Sequence, residues 1–172
     1  MDLITNSQSA SNLQLKAAPE LIVQKWLNVD EPLSLEQLRG KVVAIFAFQM
    51  LCPACIERSI PQAQRVYQTF SAEDVAVLGL HTVFEHHAAM EEVSLKAFLH
   101  EYRVSFPVGI DLPSVIENNP VPQTMRTYRN QGTPTLLLID RQGYLRKQKF
   151  GHEQDLVLGA EIMALLREEK SH

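Results

Sequence analysis

The sequence predicts a layered α/β domain, a central mixed β-sheet flanked by helices. Three observations lead there. Apolar runs with strand character alternate with helix-period segments between residues 41 and 110. One run, Val42 to Phe48, is continuous and rich in Val, Ile and Phe, as expected of a strand covered on both faces. Near the end, Asp140-Arg141-Gln142-Gly143 separates two strand-like runs in the manner of a hairpin turn, which adds antiparallel strands to a parallel core.

The elements follow in order. Residues 1–15 are polar and without period, and are expected to form a mobile arm ahead of a single domain over residues 16–172. Glu20 to Leu27 is a short apolar run carrying the only tryptophan, Trp26, a candidate core residue, and residues 28–32 read as a turn. Ser34-Leu35-Glu36-Gln37 matches a capping box opening one helical turn, with Gly40 closing it. Lys41 to Phe48 is the central strand. A helix-period pattern runs from about Pro53 to Phe70 through Ile56, Ile60, Ala63, Val66, Tyr67 and Phe70; Pro61 should kink it without ending it, since the period resumes.

Val75 to Leu80 is a second buried strand. Residues 81–91 form an irregular, histidine-containing connection, and a helix follows from Glu92 to Tyr102. Pro107 to Ile110 is a short strand, Leu112 to Val121 a proline-bearing loop, and Gln123 to Arg129 a short helix. Thr135 to Ile139 and Tyr144 to Phe150 are the hairpin strands. A final amphipathic helix spans about Gln154 to Glu168, its apolar side formed by Leu156, Leu158, Ile162, Leu165 and Leu166.

Composition narrows the function. The chain has 172 residues, 45% of them hydrophobic, and a net charge of −4, so the basic field that nucleic-acid binding requires is missing. The longest apolar run is far too short to span a bilayer, so membrane insertion is not expected. No charged-then-apolar targeting segment opens the chain, which points to the cytoplasm, or to the periplasm or another extracytoplasmic space if such a segment has been removed.

The cysteines carry the chemistry. There are two, and they stand three apart in Cys52-Pro53-Ala54-Cys55. Random placement gives that spacing roughly once in ninety such chains, so the pair reads as a site. The motif follows a buried strand and opens a helix, with Pro53 where a missing N–H costs nothing. Cys52 then lies at a helix N-terminus, whose unpaired N–H groups and dipole favour a thiolate. Cys55 lies about one turn on, roughly 5–6 Å away, within the reach of a disulfide. Cys52 is therefore expected to attack and Cys55 to resolve. Structural zinc would need more ligands, and His81, His86 and His87 lie on another connection, so no metal and no cofactor are expected. His81 is more naturally a core or surface histidine, His86 and His87 loop surface, and Arg146, Lys147 and Lys149 a charged guard on the hairpin edge.

The second element is Gly132-Thr133-Pro134-Thr135, a proline entering a strand. Strand, Cys-Pro-Ala-Cys, proline-bearing helix, then Gly-Thr-Pro-Thr before a strand and an Asp-Arg-Gln-Gly hairpin resemble the thioredoxin superfamily over about residues 20–168. More narrowly, residues 33–43 and Val77-Leu78-Gly79-Leu80-His81-Thr82 with Phe84-Glu85 are similar to the TlpA/ResA-like redoxins of the DipZ type. The resemblance implies a thioredoxin-like fold and a cis peptide at Thr133–Pro134 beside the cysteines. It also implies that the Thr133 backbone pairs with an extended substrate segment, and that Leu51, Pro53 and Ala54, with Met50, form an apolar docking patch. The partners it implies are protein thiols or disulfides and an electron-donor redox protein. The chain departs from the pattern where Leu51 replaces a Trp before the first cysteine, where Phe46 stands at the place of a buried acid, and where Arg58 replaces an acid after the second cysteine. Glu85 and Glu57 are left as candidates for moving the Cys55 proton. Two other functions compete. One is a peroxiredoxin-like peroxide reductase, against which Ile45 and Gln49 fill the places of the Pro and the Thr or Ser upstream of its reactive cysteine. The other is a non-catalytic metal-binding or chaperone module.

Overall fold

In the computed structural model, which describes residues 15–168, seven strands form one sheet in the order β1-β7-β6-β3-β4-β5-β2. Only Leu15 of the expected N-terminal arm falls within the described residues. The strands are β1 (Lys16–Ala17), β2 (Val23–Leu27), β3 (Val42–Phe48), β4 (Val75–His81), β5 (Val108–Asp111), β6 (Thr135–Ile139) and β7 (Tyr144–Phe150). The α-helices are α1 (Ile60–Thr69), α2 (Glu92–Glu101), α3 (Gln123–Tyr128) and α4 (Asp155–Arg167). β3, β4 and β5 are mutually parallel, while β6 runs antiparallel to β3 and is joined to β7 as a hairpin. The sheet is thus mixed, as expected.

Alternation along β3 explains its continuous apolar run. Val42, Ala44, Phe46 and Phe48 enter one core layer, with side chains from α1, α2 and α4. Val43, Ile45 and Ala47 enter the other, with Leu35 and Tyr128. The chain steps β3, β4, β5 in one direction across the sheet, so crossovers of one hand put α1 and α2 on the same face. The return to β6 takes α3 over the opposite face.

The capping box is reciprocal, Gln37 N–H donating to Ser34 Oγ at 3.2 Å and Ser34 N–H to Gln37 Oε1 at 3.0 Å. The hairpin turn is held by Asp140 Oδ1, which accepts from the N–H groups of Gln142 and Tyr144. Gly143 is needed there: its φ is +87°, and a Cβ would lie 2.3 Å from the Arg39 guanidinium carbon.

Two expectations, for Leu156 and Met50, are corrected, and the helix after the cysteines continues past Pro61 as expected but with an added feature. Leu156 is 89% exposed and lies off the buried side of α4, which is formed by Leu158, Ile162 and Leu165, with Leu166 packed at its border. The helix after the cysteines opens with a wide π turn, Cys55–Ser59, in which the Ile60 N–H bonds back five residues to the Cys55 carbonyl. Pro61 supplies the reason, since it has no N–H to offer the carbonyl four residues back and its ring crowds the preceding turn. Met50 is buried at 8% exposure, so it belongs to the core instead of a surface patch. β1 is an addition: two residues pair Lys16 with Leu145 and Ala17 with Tyr144 along the outer side of the hairpin.

Candidate active site

The C-terminal end of β3 and the N-terminal end of β6 meet side by side, Ala47 opposite Thr135. From the first the chain runs into the cysteine loop; the second is entered from Gly132-Thr133-Pro134. Sheet pairing therefore brings together two sequence elements 81 residues apart. The Thr133–Pro134 peptide is cis, and the Thr133 carbonyl oxygen lies 3.6 Å from Cys52 Sγ.

Cys52 and Cys55 are joined as a disulfide with their Cα atoms 5.2 Å apart. Helical backbone begins at Pro53, so Cys52 is the residue just before the helix. The Cys55 N–H points at Cys52 Sγ at 3.3 Å and the Cys55 N–H and Ile56 N–H also reach the Cys52 carbonyl. Donors of this kind favour negative charge on the first sulfur. The two cysteines differ in access: Cys52 is half-buried, whereas Cys55 is fully enclosed in the core layer beneath α1. Around them Leu51 is 58% exposed and Pro53 and Ala54 are exposed, leaving an apolar rim at the sulfur.

Other singled-out residues sort themselves by position. His81 closes β4 beside Phe48, their ring centres 5.2 Å apart, and only 1% of it is exposed. Its Nε2 has no hydrogen-bond partner among the described residues, and burial pushes its pKa down to about 4, so the ring is neutral at physiological pH. His86 and His87 are exposed; the latter lies 3.3 Å from the Pro120 carbonyl. No group of three or more metal-ligating side chains occurs among the described residues. Arg146 pairs with Asp140 and Glu168, and Lys147 with Glu153 and Glu161, so these cations are engaged within the molecule. Glu57 and Glu85 are both exposed. Trp26 is half-buried against the second core layer.

One residue at the site escaped the sequence reading as a participant. Gln49, 2% exposed, extends its amide from the start of the cysteine loop to residues 84, 85 and 133. Nothing local signals this, since all three partners arrive from other loops. Asp111 is similar: it is buried, its carboxylate accepts from Thr82 Oγ1 and from the Thr124 and Met125 N–H groups, and desolvation raises its pKa. It anchors α3 behind the strap that ends at Pro134.

Comparison with known proteins agrees with this geometry. Residues 14–148 match the AhpC/TSA family. The chain is 33% identical over 156 residues to Protein DipZ of Mycobacterium tuberculosis, a match covering 89% of this chain and 21% of that protein; it therefore spans about a fifth of that relative's length. Two solved structures superpose over 91% of this chain and 99% of their own. One is a thioredoxin-like superfamily protein, 55% identical with a TM-score of 0.87; the other is a thiol-disulfide isomerase from Corynebacterium glutamicum, 44% identical with a TM-score of 0.85. The architecture is thioredoxin-like. Among the described residues no helix is long and apolar enough to cross a membrane.

Proposed function

Since the chain belongs to the AhpC/TSA family, we propose that it is a thiol-disulfide oxidoreductase that exchanges electrons with protein disulfides or dithiols through Cys52 and Cys55. The observation that carries this reading is the asymmetry of the pair, an accessible sulfur at a helix start joined to an enclosed one.

In the reducing direction the Cys52 thiolate attacks one sulfur of a partner disulfide. That bond breaks, the departing partner thiolate takes up a proton, and a Cys52–partner disulfide remains. Cys55 then loses its proton and attacks Cys52 Sγ, releasing the second partner thiolate, which is protonated in turn. The partner gains two electrons and two protons, and the protein ends in the Cys52–Cys55 disulfide seen here. An electron-donor dithiol protein restores the reduced form by the same steps. Leu51, Pro53 and Ala54 supply the apolar contact for a partner, and the Thr133 backbone pairs with its extended segment. In a reducing compartment the protein acts as a reductant or redox relay; in an oxidising space the same exchange runs toward disulfide formation or rearrangement.

A redox titration in buffered thiol/disulfide mixtures, read by maleimide gel shift, tests this. A single two-electron transition is expected, with a midpoint near about −270 mV for a reductant or near about −120 mV for an oxidant. No transition across that range, with zinc or copper retained on the protein, would reassign the pair to metal binding. Rapid consumption of peroxide with a thiol reductant alone would favour the peroxidase reading. In single variants, Cys52→Ser is expected to abolish disulfide reduction and Cys55→Ser to accumulate mixed disulfides with partners on non-reducing gels; full turnover by Cys52→Ser would overturn the assignment of the attacker.

A further inference from the structure

Gln49 is the first residue beyond β3, and its backbone carbonyl accepts the Cys52 N–H at 3.2 Å. Its side chain is almost wholly buried, and a buried amide must find partners for both ends or lose the hydrogen bonds that water would supply. The partners come from two other loops. Gln49 Oε1 accepts from the Phe84 N–H at 3.2 Å, while Nε2 lies 3.5 Å from Glu85 Oε1 and 3.5 Å from Thr133 Oγ1, both at the long end of hydrogen-bonding range. Thr133 is thereby held by its hydroxyl, leaving its carbonyl turned toward Cys52 Sγ.

Resting on the thiol-disulfide reading above, we propose that Gln49 is a positioning residue: its amide ties the cysteine loop, the Phe84-Glu85 connection and the Thr133 strap together and so holds the Thr133 backbone for a partner's extended segment. Packing alone does not require an amide here, since Met has similar length and would fill the space without hydrogen bonds. The tie acts on binding. It reaches the residue that receives the partner's backbone, and its amide bonds to residues 84, 85 and 133 instead of to either sulfur.

The test is steady-state reduction of a disulfide-bridged peptide by the full chain, comparing wild type, Gln49→Met, Thr133→Val and the double variant, with circular dichroism and thermal melting to confirm folding. Each single variant is expected to raise KM about five-fold, the equivalent of one net hydrogen bond, with a smaller change in kcat. The double variant is expected to match the larger single effect, because both changes cut the same link. Unchanged KM in either folded single variant, a loss confined to kcat, or KM effects that multiply in the double variant would each overturn the proposal. Should Gln49→Met fail to fold, Thr133→Val still decides it, since that change leaves Gln49 in place. Failure of wild-type protein to reduce the peptide at all would instead defeat the thiol-disulfide reading on which the proposal rests.

Discussion

His81 shows what a single residue contributes when it is buried with a ring nitrogen left unbonded. Its ring nitrogen Nε2 is unbonded in the core, and desolvation holds its pKa at about 4 against 6.5 for a free histidine. Below pH 6.5 the unfolded chain takes up a proton at this position that the folded chain refuses. Stability from this group is therefore full above about pH 6.5 and is lost as the pH falls toward 4, by on the order of 3 kcal/mol. Glu153, held down to about 2 first by its Lys147 hydrogen bond, adds a loss only below about pH 4.5. We expect urea titrations to show wild-type stability declining between pH 7 and pH 4 and His81→Leu to flatten that decline; equal slopes would show that His81 does not titrate as a buried group. At this scale the cysteine pair was legible because its chemistry is written in four consecutive residues. Gln49 and Asp111 were not legible, since their meaning lies in partners brought by other loops.

Elements were legible where burial is symmetric and less so where it is one-sided. β3 and β4, buried along nearly their whole length, announce themselves in the bare sequence, whereas α2 and the hairpin, buried on one side or only in part, were read from helix spacing and from the Asp140-Arg141-Gln142-Gly143 turn. α4 is apolar on most of its circumference, so periodicity alone could not choose which leucine faces inward, and Leu156 was placed on the wrong side. The structure makes a sharp contrast there. Leu158→Ala is expected to cost about 2–5 kcal/mol by opening a cavity, whereas Leu156→Lys is expected to stay within about 0.5 kcal/mol of wild type. Chemical denaturation of the two variants measures this, and a large loss for Leu156→Lys would mean that α4 packs the other way. β1 was invisible because two residues carry no period, only a pairing with β7. The π turn was half legible: Pro61 signalled a disturbance, but a widened turn and a bend look alike in sequence.

Across the molecule, one sheet carries both core layers, and no composition change divides the chain. A single cooperative unit is the expectation. Trp26, half-buried on β2 near one edge of the sheet, reports on one side, and far-UV dichroism reports on the helices. Their denaturation curves are expected to coincide, and separated midpoints would reveal a second folding unit. The meeting of β3 with β6 also has a consequence in time. Cys52 is synthesised 81 residues before Thr133. At about 5–20 residues per second, roughly 4–16 s separate the synthesis of Cys52 from that of the strap that will lie beside it. Until the strap is in place the cysteine pair is chemically complete but sterically unguarded, open to whatever thiols and oxidants surround the ribosome.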